Sequence, residues 1–141
     1  MEQANIGVTL STSILTDMWK KFAFLVSLSG ITTALRSPIG VALADPVTNA
    51  FLRNLIDEIL AVAAHKQVAL PQDLGDEIMN RLAALSPDMT SSMHRDLEKG
   101  FPLELESLQG AVLTMAKEAA LPTPCMRTLY ALLHPFKDGR P

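Results

Sequence analysis

The chain has little of what membrane, disulfide-bonded and nucleic-acid-binding proteins require. One cysteine among 141 residues excludes an internal disulfide. Lys and Arg number 12 against 15 Asp and Glu, and a net charge of −3 argues against binding to a nucleic-acid backbone. The most apolar run, residues 22–31, has about half the length that a membrane-spanning helix needs. Glu2 and Gln3 stand where a secretory signal carries positive charge, so we expect a cytoplasmic protein.

The patterns of cofactor and metal sites are also missing. No set of the seven glycines has the G-x-G-x-x-G spacing of a dinucleotide-binding turn, and no parallel-sheet pattern could present one. The three histidines, His65, His94 and His134, lack the spacing of a metal site and are expected at the solvent or at an interface. Cys125 has no neighbouring histidine and is predicted to be structural. We therefore expect this chain alone to bind no cofactor and no metal.

Apolar residues are plentiful instead. They make up 48% of the chain, with a mean hydropathy of +0.22, which is high for a soluble domain. A chain of this length can bury one core without crosslinks. We expect part of the remaining apolar surface to contact a partner.

The spacing of the apolar residues is helical throughout. From Ile14 to Leu28 they recur every three or four residues, which predicts a long first helix starting near Ser13. Asp45 and Pro46 provide a helix cap and a first-turn proline for a helix reaching about His65. Further helices are predicted over residues 71–85, 87–99, 103–119 and 124–133. The sequence thus predicts an all-α domain of six or seven helices over residues 13–136, with a tail at 137–141.

Three short segments contain polar residues whose side chains could take part in catalysis or ligand binding. They are Met18-Trp19-Lys20-Lys21, the run from Ser91 through Ser92 and Asp96 to Gly100, and Leu103-Glu104-Leu105. Judged on the residues alone, Lys21 is a surface lysine, Ser91 or Ser92 is a helix cap, and Glu104 is a carboxylate that interacts with a helix dipole.

Together these segments resemble the C-terminal helical domain of the ketopantoate reductase (2-dehydropantoate 2-reductase) family, over about residues 5–136. The resemblance implies a fold similar to the 6-phosphogluconate-dehydrogenase-like C-terminal domain. It also implies that Lys21 is the catalytic lysine and that Glu104 contacts the substrate and helps to hold that lysine. Ser92 would bind substrate, and Asp96 would support it.

The family's chemistry explains why a lysine is useful at this position. Hydride delivery to the carbonyl carbon of a 2-keto acid leaves an alkoxide, which a partly desolvated ammonium can stabilise and protonate. Lys21 is therefore the predicted general acid. Leu25 and Ser29 occupy two substrate-binding positions where the family usually has asparagines, and leucine cannot donate a hydrogen bond. This departure predicts that the substrate preference shifts from ketopantoate toward another 2-keto acid.

The resemblance further implies partners. In the family an N-terminal Rossmann domain binds NADPH, so residues 1–12 are predicted to be the remnant of a linker to that missing domain. The intact enzyme would be a homodimer of pantothenate biosynthesis, and this chain alone would be inactive. One alternative is a non-catalytic helical dimerisation module left from a split or truncated reductase. Another is a free-standing helical protein that binds an unrelated ligand in an apolar groove between the first helix and Ser92.

Overall fold

A computed structural model describes the backbone of residues 2–140 and the side chains of residues 14–140. Within that range the chain forms seven α-helices and a short 3₁₀ helix, and no strand, which confirms the predicted all-α fold. None of these helices combines the length and the apolarity that crossing a bilayer requires. The elements are α1 Glu2–Leu35, α2 Ile39–Ala44, α3 Pro46–His65, α4 Leu74–Ala83, α5 Ser92–Lys99, α6 Gln109–Glu118, α7 Pro124–Leu133 and the 3₁₀ helix His134–Phe136.

Helix α1 is the element around which the others are arranged. It contacts α2, α3, α4, α5 and α7, and α3 packs in turn against α6 and α7. The prediction that α1 starts near Ser13 was wrong, because the helix begins at Glu2. Residues 2–13 contain no proline that would stop a helix, and α1 continues through the predicted linker remnant. Whether residues 1–12 once joined another domain stays a prediction.

The core lies between α1, α3 and α7. Helix α3 contributes four fully buried side chains at helical spacing, and those of α1 and α7 meet them from either side. These core residues are Leu52, Leu55, Ile56 and Ile59 on α3, Val26 and Ile31 on α1, and Leu129 and Leu133 on α7.

Helix α5 was predicted to begin at Pro87, but it begins five residues later, at Ser92. The carbonyls of Pro87 and Met89 accept hydrogen bonds from Gly40 N at 3.0 Å and Ile39 N at 2.8 Å, the first N–H groups of α2. A residue whose carbonyl points at another helix cannot use it in its own helix. Residues 87–90 therefore form a turn that caps α2, and α5 starts only at Ser92.

The segment before α6 was predicted to be helical, but it is not. Leu103 and Leu105 are buried while Glu104 and Glu106 are exposed, an alternation typical of extended chain. Leu103 N donates to Lys137 O at 2.9 Å, and so the predicted tail holds this segment in place. Helix α6 consequently begins at Gln109 rather than near Leu103.

Helix α7 starts as predicted, but its cap comes from a distant helix. The Thr123 side chain makes no capping hydrogen bond. Instead, the Glu58 carboxylate on α3 accepts hydrogen bonds from Cys125 N and Met126 N, each at 2.9 Å. A carboxylate at this end satisfies free N–H groups and interacts favourably with the helix dipole.

We expect Glu58→Ala to lower the free energy of unfolding by about 1–2 kcal/mol, the usual cost of removing a helix cap. Glu118→Ala, an exposed position near the end of α6, is the matched control and should change stability by less than about 0.5 kcal/mol. Urea denaturation followed by circular dichroism measures both. Equal effects of the two substitutions would show that Glu58 does not hold α7.

Candidate active site

The two adjacent lysines of α1 have different surroundings. Lys20 Nζ lies 3.8 Å from the Glu77 carboxylate on α4, and its side chain is 24% exposed. Lys21 is turned about 100° around the helix, which places it on the exposed side. Among the described side chains no carboxylate pairs with Lys21. Lys21 is thus the lysine of this pair that is available to a ligand.

The expectation that Lys21 is partly desolvated was wrong for this chain, since its side chain is exposed. The reason is geometric. Neighbouring positions of α1 are anchored on the other side of the helix, where Thr16 Oγ1 donates to Ala69 O at 2.7 Å and Lys20 contacts Glu77. Nothing within residues 14–140 covers Lys21, so any desolvation has to come from another domain or from a ligand.

Leu25 and Ser29 follow Lys21 at intervals of four residues. Each interval turns about 40° around the helix, so the three positions rotate progressively from solvent toward the core. Leu25 is 43% exposed, whereas Ser29 is only 7% exposed. The two positions are therefore not equivalent, and Leu25 is the one that a ligand beside Lys21 can reach.

The Ser29 hydroxyl is engaged by a residue that the sequence did not point to. Gln109, the first residue of α6, is fully buried, and its Nε2 donates to Ser29 Oγ at 3.0 Å and to Val26 O at 3.0 Å. Ser29 Oγ donates in turn to Val26 O at 3.3 Å. A buried glutamine carries no periodicity or motif that would reveal such a long-range contact.

The two adjacent serines have separate roles. Ser91 is buried and caps α5, because its Oγ accepts a hydrogen bond from His94 N at 3.1 Å. The same oxygen is hydrogen-bonded to Thr32 Oγ1 of α1 at 2.8 Å. Ser92 is exposed, and Asp96 lies one turn further along α5, half-buried. Of the two, only Ser92 is accessible to a substrate, as the resemblance implies.

The two carboxylates before α6 also differ. Glu106 Oε1 accepts a hydrogen bond from Tyr130 OH at 2.5 Å, and this hydrogen bond raises the pKa of Tyr130. Glu104 is exposed, and no side chain within residues 14–140 forms an ion pair with its carboxylate, Lys21 included. Glu104 also precedes α6 by five residues, so the interpretation as a carboxylate at a helix dipole was wrong.

The accessible polar side chains thus provide one ammonium, one hydroxyl and one carboxylate, from Lys21, Ser92 and Glu104. Such a set can bind a carboxylate or a carbonyl oxygen and donate a proton to it. The resemblance assigned these same residues to the site, and that assignment stays a prediction.

Comparison with known proteins identifies the family to which the chain belongs. A family described as "Ketopantoate reductase PanE/ApbA C terminal" matches residues 13–137. The chain belongs to this family.

Individual relatives show the same likeness. The Bacillus subtilis protein named "Uncharacterized oxidoreductase YkpB" is 34% identical over 97% of this chain and 46% of its own length. A 2-dehydropantoate 2-reductase from Nostoc is 27% identical over 99% of this chain and 43% of its own. The dimeric ketopantoate reductase from Staphylococcus aureus superposes with a TM-score of 0.82 at 26% identity, covering 88% of this chain and 43% of the other.

The ketopantoate reductase domain therefore spans less than half the length of these relatives. Its residues do not fit a nicotinamide cofactor, because the described chain is helical without strands and its glycines lack the dinucleotide-binding spacing.

The remaining reactive side chains of the ketopantoate reductase domain lie apart from this set. His65 and His134 are exposed, but His94 is buried beside Glu98, with Nε2 and Oε1 2.9 Å apart, so the expectation of a solvated or interface residue was wrong for it. Desolvation by burial, reinforced by the Glu58 carboxylate, raises the pKa of the Cys125 thiol to about 11. At neutral pH this cysteine is therefore a poor nucleophile.

The serine pair gives a test that separates structure from function. Ser91→Ala should lower the free energy of unfolding by about 1–2 kcal/mol, because it removes the cap of α5 and the hydrogen bond to Thr32. Ser92→Ala, an exposed neighbour, should change stability by less than about 0.5 kcal/mol. Differential scanning calorimetry measures both, and a larger loss for Ser92→Ala would contradict the assignment of the cap.

Proposed function

We propose that this chain is the substrate-binding and catalytic domain of an NADPH-dependent, 2-dehydropantoate 2-reductase-like enzyme. The reaction is the reduction of a 2-keto acid to a 2-hydroxy acid, and the enzyme is a cytoplasmic one. The observation that carries the proposal is the pair of adjacent lysines on α1. Lys20 contacts Glu77, while Lys21 is exposed, and the family resemblance assigns the role of the catalytic lysine to Lys21.

In this proposal Lys21 is the general acid. During reduction the carbonyl oxygen of the substrate gains negative charge, and the Lys21 ammonium stabilises this charge and donates a proton to the oxygen. Ser92 and Glu104 bind the substrate, and Asp96 supports Ser92 from the next turn of α5. Closure of a second domain over α1 removes water from Lys21 and strengthens these interactions.

The hydride comes from a cofactor domain that these residues do not form. The relatives are about twice as long as this chain. We propose that an N-terminal Rossmann domain binds NADPH and places its reactive carbon against the substrate, and that the 141 residues alone have no reductase activity.

The two lysines provide a matched test in the enzyme formed by joining this chain to such a cofactor domain. Lys21→Ala should lower kcat about 100-fold or more, the usual range for a positioned general acid. Lys20→Ala should change kcat little, because that ammonium contacts Glu77. NADPH oxidation in the presence of a 2-keto acid measures both, with the 141-residue chain alone as background.

Two outcomes would contradict the proposal. Equal, small effects of the two substitutions would mean that neither lysine is the general acid. Keto-acid-dependent NADPH oxidation by the 141-residue chain alone, above that of its Lys21→Ala variant, would mean that the cofactor domain is not needed.

A second candidate function is a non-catalytic dimerisation module. It is favoured by an apolar groove of about 290 Å³. This groove lies between α1 and α6, whereas the sequence-based alternative expected a groove between the first helix and Ser92. Met18 at its edge is 61% exposed. The groove is lined by Leu15, Met18, Trp19, Phe22, Ala111 and Met115. An exposed apolar surface of this kind is typical of a protein interface, and we also propose that the intact reductase is a homodimer.

We expect the chain to self-associate through this groove at low micromolar concentration. Met18→Lys should shift the population toward monomer, because a charge buried in an apolar interface is costly. Val47→Lys, at an exposed position on α3, is the control and should leave the assembly unchanged. Analytical ultracentrifugation measures the fractions of monomer and dimer for the wild type and both variants. A wild-type chain that stays at 15.3 kDa throughout would exclude the dimer.

A further inference from the structure

The surface along Lys21 is apolar on both sides. Met18, three residues before it, and Leu25, four residues after it, share its face of α1. Both side chains are exposed, Leu25 by 43%. The Leu25 position lies about 6 Å further along the helix axis than Lys21, one turn of the helix away. Neither side chain can donate a hydrogen bond to a hydroxyl group of a ligand there.

The next polar side chains along α1 are Ser27 and Ser29. The Ser27 hydroxyl is fully buried and cannot be reached by a ligand, and Ser29 is hydrogen-bonded to Gln109. Ser29 Oγ uses its one proton on Val26 O at 3.3 Å. Gln109 Nε2 uses its two protons on Val26 O and Ser29 Oγ, both at 3.0 Å. Ser29 is 7% exposed and Gln109 is 0% exposed. No donor therefore remains at the level of Ser29 for a substrate hydroxyl.

We propose that the substrate of this domain is a 2-oxo acid whose side chain is apolar, a branched alkyl or an aryl group, and that Leu25 is the residue that selects it. The inference rests on the proposed function, because it takes the oxo group to lie at Lys21. The carboxylate and the oxo group interact with the charged and polar residues, and the apolar side chain packs on Leu25. A hydroxylated side chain, as in 2-dehydropantoate, would lose its hydrogen bonds to water on this surface without replacing them.

Isothermal titration calorimetry of the enzyme formed by joining this chain to a cofactor domain, with two 2-oxo acids, tests the inference. The probes are 4-methyl-2-oxopentanoate, with a branched alkyl side chain, and 2-dehydropantoate, with a hydroxyl group. We expect the first to bind about tenfold more tightly, a difference of about 1.4 kcal/mol. Leu25→Asn should abolish or reverse the preference, whereas Leu132→Asn, at an exposed leucine of α7, should leave it unchanged.

The remaining outcomes overturn the inference in distinguishable ways. If 2-dehydropantoate binds as tightly or more tightly, or if Leu25→Asn leaves the ratio unchanged, Leu25 does not select the substrate, and the proposed reductase function still stands. If neither acid binds, or if Lys21→Ala does not weaken the binding of either acid, the proposed function fails together with the inference.

Discussion

The buried hydrogen bond between Thr32 Oγ1 and Ser91 Oγ, 2.8 Å long, fixes the relative position of the two helices on which the candidate site depends. The same Ser91 oxygen caps α5, so the first turn of α5 and the C-terminal half of α1 are held at one point. Ser92 follows that cap directly and is exposed as a result. A change at Ser91 would move Ser92 relative to α1, although Ser91 itself cannot contact a ligand.

Helix α1 has two functional parts. From Ala23 onward most of its side chains are buried. Thr32 and Ser29 are hydrogen-bonded within the domain, whereas the Ser27 hydroxyl is buried without a partner. Over residues 14–22 it carries exposed apolar side chains and Lys21, while Thr16 and Lys20 contact neighbouring segments and Trp19 and Phe22 pack against the core. A single helix therefore serves as the core of this domain at one end and as a surface for a ligand or a second domain at the other. Closing a cofactor domain over the exposed part would desolvate Lys21, which this chain alone does not do.

Local signals predicted the parts of the fold that are set by local interactions. Asp45 caps α3 by accepting from Thr48 N at 2.9 Å, and Pro46 and Pro124 start their helices as the sequence indicates. The failures at α5 and α6 involve long-range hydrogen bonds, whereas the start of α1 was misplaced because no local signal stops the helix before Ser13. The carbonyls of Pro87 and Met89 cap α2, and Leu103 pairs with Lys137, so neither segment is helical. The family resemblance was needed to single out Lys21, Ser92 and Glu104, while Gln109 could not be found because its partners are some eighty residues away in the chain.

The central claim is that Lys21 is the lysine that contacts a 2-oxo acid. Methylation of the lysines with ¹³C-formaldehyde preserves their charge and gives each one an NMR signal, which a Lys→Arg variant assigns. Titration with oxamate, an unreactive 2-oxo acid analogue, tests the claim directly. We expect a saturable shift of the Lys21 signal and an unchanged Lys20 signal. A shift of Lys20 alone, or no shift of Lys21 at saturating oxamate, would contradict it.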